Sequence, residues 1–242
     1  MRAWTALTVA AALCLGLDAC AAPTPEALAN NDPYEATNRD ILVFNGKLDR
    51  YFVVPTVAVY FILVPPAGRR GVHNLLGNLS LPTIFVNDML QGELTRGGQS
   101  AARFLINTTL GLGGFFDPAA KMGIPGHGED FGQTLAVWGV DEGPYLVLPF
   151  FGPSNPRDAF GLAADAAGDP TNFIHFKQHI WWAAGREYFT LLDLRAQNYQ
   201  TIRGIQRSSV DYYAALRSLY RQIRDNQIRN GRPAKAKDLP DF

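Results

Sequence analysis

His175 and His179 stand four residues apart, a spacing that puts two imidazoles on one helical face where they could share a metal ion. A zinc-protease motif would place glutamate directly after the first histidine; Phe176 holds that place, and no third ligand is evident. The signature G-x-S-x-G does not occur, so an esterase or phospholipase of that type would lack the turn that presents its nucleophile. Glu129, Asp130, Asp141 and Glu142 lie beside turn signals with nothing to pair them as acid and base, and they read as loop carboxylates facing water. Gly111, Gly113 and Gly114 form no phosphate-binding fingerprint, because Phe116 stands where a dinucleotide motif needs glycine. They read instead as places of close backbone packing or positive φ. No catalytic residue, metal or cofactor is expected from these patterns.

Cys20 carries chemistry of another kind. Arg2 precedes a short apolar run, Ala6 to Leu17, too short to span a bilayer and ending in small residues, which reads as a cleaved secretory signal over residues 1–19. Leu17-Asp18-Ala19-Cys20 is similar to a bacterial lipobox, although Asp18 departs from that pattern; the other reading is a soluble periplasmic product. Acylation of Cys20 would bury roughly 0.8 kcal/mol per methylene, and two chains suffice for a stable anchor. Residue 21 is Ala, not the Asp that by analogy with known lipoproteins implies retention at the inner membrane, which favours the outer membrane, on its periplasmic side. Both cysteines, Cys14 and Cys20, lie at or before the processing point, so the mature chain has no intrachain disulfide.

Lys plus Arg and Asp plus Glu number 22 each, and this balance argues against nucleic acid as a partner. The length suits one domain with a substantial core. Ala21 to Asn31 is small, polar and proline-bearing, so residues 20–31 read as a lipidated tether; residues 32–230 form the body and 231–242 a loose tail.

The elements that must position these residues are mainly helical. Thr37 caps an expected helix with Ile41, Phe44, Leu48 and Phe52 on one face. Phe52 to Val64 is almost continuously apolar, with Pro55 inside; it is either a buried, kinked helix or a segment lying within one leaflet, and cannot span alone. Further helices are expected over 67–76, 82–90 and 98–110. Thr134 to Val140 and Tyr145 to Leu148 read as short strands around Asp141-Glu142-Gly143, a region that could form one hairpin. Trp181, Ala184, Tyr188, Leu191 and Leu192 mark one late helix. Tyr212, Tyr213, Leu216, Leu219, Tyr220 and Ile223 mark another, with Arg217, Arg221 and Arg224 on its opposite face, most simply a solvated surface, the second reading being contact with acidic lipid head groups or a porin.

Asp32-Pro33-Tyr34-Glu35, Asn38-Arg39, Phe44-Asn45, the glycine-punctuated stretch Gly77 to Pro118, Phe131-Gly132-Gln133-Thr134-Leu135, Gly143-Pro144-Tyr145 and Leu148-Pro149-Phe150 occur in one order. Together they resemble the MlaA/VacJ family of outer-membrane lipoproteins, over about Asp32 to Asp158. The resemblance implies a helical, ring-like single domain with an amphipathic central channel. Its implied task is to extract mislocalised phospholipid from the outer leaflet, keeping the outer membrane asymmetric, and to pass it to a periplasmic carrier protein. Phospholipid would be the transported ligand and a trimeric porin a partner. The alternative is a structural, porin-associated envelope lipoprotein that moves no lipid. By the same resemblance, Phe44-Asn45 matches a segment that keeps lipid flow one-directional, and Phe131, Leu135, Gly139, Asp141 and Gly143 match the channel and its flanking hairpin. Asp141 departs from the glycine expected there. Arg103, charged amid Ala101, Phe104, Leu105 and Ile106, must meet either a protein carboxylate or a lipid head-group phosphate.

Overall fold

A computed structural model describes residues 23–170 and 179–233. Cys20, His175 and the tail from residue 234 lie outside them. The fold is mainly α, with one two-stranded antiparallel sheet.

The helices are α1 (Pro25–Ala29), α2 (Glu35–Leu48), a π-helical turn (Asp49–Val53), α3 (Val54–Leu63), α4 (Pro66–Leu90), α5 (Leu94–Thr109), α6 (Pro118–Lys121) and α7 (Phe131–Val137). Strands β1 (Leu146–Leu148) and β2 (Gly152–Ser154) follow, then α8 (Pro156–Gly168), α9 (His179–Gln197), α10 (Tyr199–Ser208) and α11 (Tyr212–Ile228).

Several boundaries differ from expectation for physical reasons. The tether contains α1, which Thr24 caps through its Oγ1 and whose Ala27 is buried. Thr37 lies inside α2 rather than capping it, because the Asn38 N–H already donates to the Tyr34 carbonyl. The two helices expected over 67–76 and 82–90 are one, α4, running through Pro82. A proline forfeits one ladder bond, and the packing of α4 against α5 sustains the helix across it. The helix α10 had no forecast.

The strand assigned to 134–140 is wrong, and so is the hairpin around Gly139 to Gly143. Asp130 caps the Gln133 N–H and starts α7 instead. The hairpin lies later in the chain: Leu146 faces Ser154 and Leu148 faces Gly152, around a turn at Pro149 to Phe151. Gly139, which ends the turn after α7, and Gly143 stand at φ of +87° and +71°, where a side chain would be strained.

The partition of side chains is inverted for an ordinary domain. Asp32, Asp88, Ser100 and Thr134 are fully buried, whereas Ile62 is 81% and Leu63 73% exposed. Among the described residues the buried apolar side chains gather in two small clusters, Val57-Tyr60-Leu192 and Tyr145-Val147-Tyr213, with Ala27, Leu81 and Ala119 buried outside them. The apolar run Phe52 to Val64 therefore buries one face, Val57 and Tyr60, and presents the other. Among the described residues no single helix is long and apolar enough to cross a membrane; α2 and α3 together meet α4 at a bend of 120°.

Candidate functional site

Among the described residues, three polar junctions gather several buried side chains each. The first is built on Asp32, whose Oδ1 accepts from Asn38 Nδ2 at 2.8 Å and whose Oδ2 accepts from Arg217 Nη1 at 2.6 Å and from the Tyr213 hydroxyl. Asn38 also accepts from the Val147 N–H and donates to the Tyr145 carbonyl, tying α2 to β1. In the second, Arg224 meets Asp130 at 2.6 Å and Asp158 at 2.8 Å, and the Tyr220 hydroxyl donates to Asp158. Burial alone would raise both carboxyls, yet the Arg224 guanidinium outweighs it and holds them below the usual carboxylate range. Arg217 and Arg224 are thus buried rather than solvated, because each answers a carboxylate distant in sequence; Arg221 donates to the Asn31 carbonyl.

The third junction gathers Asp88, Ser100, His127 and Glu129. His127 Nε2 lies 2.9 Å from Asp88 Oδ2 and 3.3 Å from Ser100 Oγ. This is no hydrolytic relay: hydroxyl and carboxylate meet the same ring nitrogen, whereas a relay needs the acid on the opposite one. Ligand atoms of Asp88, His127 and Glu129 lie within 4.8 Å of one another, but the Arg96 guanidinium sits 2.6 Å from Glu129 and 3.8 Å from Asp88, so a cation already compensates them. Glu129 was expected to face water; it is buried, and burial pushes its carboxyl upward.

Beside this junction lies a cavity of about 500 Å³ where α4, α8 and α9 meet. Ile84, Leu162, Phe151 and Ala184 offer its apolar lining; Asp165, Asp169, Arg186 and Glu187 offer charge. Asp165 accepts from Asn87 Nδ2 and from the Phe131 N–H, and burial pushes its carboxyl upward. Arg186 pairs with Asp169. A ligand with both a charged end and an apolar body fits such a lining, since each part meets its like. Sequence reasoning named Ala184 only as a helix position and missed the others, although Leu162-Ala166 and Asp165-Asp169 run at helical spacing as an apolar stripe beside an acidic one.

The residues singled out from sequence fall around this cavity rather than on it. Phe44 packs edge-on against Phe150 at 5.8 Å, and Asn45 bonds both ends of the hairpin turn, which carries Phe151 to the cavity. Phe131 packs against Trp138 and Phe160, and half-buried Leu135 shares its helix. Gly139, exposed Asp141 and Gly143 form the link from α7 to β1. Arg103 is committed within the protein: Nη2 donates to Asp117 Oδ2 and Nη1 to the Ile124 carbonyl, both at 2.7 Å. Of its two forecast partners it has the carboxylate, and it stands apart from the cavity. His179 lies in α9 and His175 outside the described residues, so their pairing has no geometry.

The model of the MlaA lipoprotein family matches residues 30–227. The chain belongs to the MlaA lipoprotein family. An MlaA protein of Shigella flexneri, named as an intermembrane phospholipid transport system lipoprotein, is 36% identical over 239 residues, covering 95% of this chain and 92% of its own. The MlaA protein of Haemophilus influenzae is 32% identical, over 90% of this chain and 88% of its own. A solved structure described as the structural basis for maintenance of bacterial outer membrane lipid asymmetry is 33% identical, with a TM-score of 0.72 over 81% of this chain and 98% of that one. The MlaA match begins at the Asp32 junction and ends within α11, the helix that answers it, so the matched segment contains every buried ion pair described above.

Proposed function

We propose that this chain is an outer-membrane lipoprotein that takes mislocalised phospholipid from the outer leaflet and passes it along an amphipathic path to a periplasmic carrier, sustaining lipid asymmetry. The cavity between α4, α8 and α9 carries this reading, because its apolar and charged linings suit acyl chains and a head group respectively. The names of the relatives, as parts of an intermembrane phospholipid transport system, agree with it. The inverted partition supports a body seated in a leaflet: Ile62, Leu63 and Trp181 would meet acyl chains while ion pairs are enclosed. Acylation at Cys20 would hold it there, and the aromatic side chains Trp182 and Phe189 exposed on α9 suit a porin wall.

The test is to fill the cavity. Ala184→Trp in the full lipoprotein should lower copurified phospholipid, read by mass spectrometry, and expose phospholipid at the cell surface while the protein still accumulates. Undiminished lipid and normal asymmetry would defeat the reading. Recovery of lyso-phospholipid in place of intact lipid would turn it toward an enzyme. An absence of copurified lipid from the unaltered protein would favour a structural, porin-associated role.

A further inference from the structure

A second cleft, of about 380 Å³, lies where the π-helical turn meets α9 and α10. Its position follows from Pro55, which cannot donate to the ladder and crowds the preceding turn. The backbone widens there, and the Val54 N–H reaches the Asp49 carbonyl, five residues back. Such single wide turns recur at functional sites. Here the turn sets Asp49 and Arg50 together on the wall of the cleft.

Three guanidinium groups converge on this cleft against one carboxylate: Arg50, Arg195 and Arg203 against Asp49. Asp49 is taken by Arg195, whose Nε and Nη2 reach its two oxygens at 2.7 and 3.0 Å. Arg195 Nη1 is buried and has no hydrogen-bond partner. Arg195 and Arg203 both approach the ring of Tyr199, at 5.2 and 5.4 Å from its centroid, and Arg203 Nη1 donates to its hydroxyl. Arg50 and Arg203 form no ion pair among the described residues. Like charges gathered in a concave site raise its potential and draw an anion to it. Planar guanidinium forks match the oxygens of phosphate. The Arg50 guanidinium lies 5.8 Å from the ring of Tyr51, and Tyr51 and Phe52, next to it in the chain, are 65% and 68% exposed and lead into the apolar helix α3.

We infer that this cleft binds a phosphate group, supplied by an anionic phospholipid of the leaflet that the apolar face contacts, at a place separate from the transport cavity. The phosphate chemistry stands on the three arginines alone. Its lipid source rests on the leaflet reading above.

The full-length protein in detergent is titrated with inorganic phosphate at constant ionic strength, and the same protein in mixed nanodiscs is scored for phosphatidylglycerol retained over phosphatidylcholine by native mass spectrometry. Arg50→Gln and Arg203→Gln should each weaken phosphate binding about tenfold, the size of one charged hydrogen bond. Both should abolish the phosphatidylglycerol preference, while Arg207→Gln, on α10 but outside the cleft, should change neither. Phosphate binding without a lipid preference would overturn the lipid source and leave a site for soluble phosphate. Absence of phosphate binding, or an equal loss in Arg207→Gln, would overturn the site. Normal copurified phospholipid in Arg50→Gln and Arg203→Gln keeps this question apart from the transport cavity.

Discussion

Asn45 grips Phe150 by its main chain: Asn45 Oδ1 accepts from the Phe150 N–H at 2.9 Å, while Asn45 Nδ2 donates to the Leu148 carbonyl at 2.9 Å. Phe150 sits at a φ of +69°, a left-handed conformation that costs a non-glycine residue about 1–3 kcal/mol and persists only where neighbours enforce it. The Phe44 ring covers the same turn from outside, and Phe151 passes to the cavity wall. The adjacent pair Phe44-Asn45 is therefore a clamp on the hairpin turn at the cavity.

Removing that clamp should loosen the turn before it unfolds the protein. Asn45→Ala strands the Phe150 N–H and the Leu148 carbonyl, a loss of about 1–3 kcal/mol if water does not replace them. Asn45→Asp keeps the acceptor and should fall between. Thermal melting gives the stability, and hydrogen exchange at Phe150 and Phe151 should rise in both variants; unchanged exchange would mean that the turn holds itself.

Asp32 and Arg217 form a buried pair joining the start of the chain to α11. Asp32→Asn leaves the Arg217 guanidinium without its nearest carboxylate, and breaking such a pair costs about 3–5 kcal/mol. Glu35, 3.4 Å from Arg217, should soften that loss. Replacing Asp211, which meets Arg39 at the exposed end of the same helix and caps it by accepting from the Tyr213 and Ala214 N–H groups, should change stability less, because a surface pair is worth only about 0–1 kcal/mol and a helix cap about 1 kcal/mol. Equal melting temperatures for the two variants would contradict this ranking.

Two glycines test close approach against flexibility. A Cβ at Gly161 would stand 2.3 Å from the Gly132 nitrogen, so Gly161→Ala forces α7 and α8 apart and should destabilise severely. Gly98, within α5, has nothing within 4 Å of its Cβ position, and Gly98→Ala should stabilise by about 0.5–1 kcal/mol. Chemical denaturation of both variants gives the two signs directly.

The Arg224 junction sets an acid dependence. Asp130 and Asp158 have folded pKa values below their unfolded ones, so the stability they contribute is present above the unfolded range and is lost as pH falls through the folded values. Arg224→Gln should cost about 3–5 kcal/mol at neutral pH, chiefly through the buried Asp158, less through the half-exposed Asp130. That cost should shrink as the pH falls below about 4, where the unfolded carboxyls protonate. A pH-independent cost would show that Arg224 acts through packing alone.

The chain on its own determined the helical class, the position of Cys20 and the motif order from Asp32 to Asp158, because spacing and local residue type carry those signals. Amphipathic periodicity likewise placed the start of α11 at Tyr212. It misjudged Thr134 to Val140 because a β-branched, apolar run also suits a short helix when Asp130 caps its start. It assigned Arg217 and Arg224 to water because charge on a polar helix face is solvated unless a distant carboxylate meets it. Only the tertiary structure brings Asp32 to Arg217 across 185 positions and Arg224 to Asp130 across 94. The cavity was illegible for the same reason: three helices contribute separate stripes, and no local rule says which stripes will face one another. Local periodicity specifies elements; the pairing of buried charges and the facing of those stripes are decided by which helices pack, a property of the whole chain.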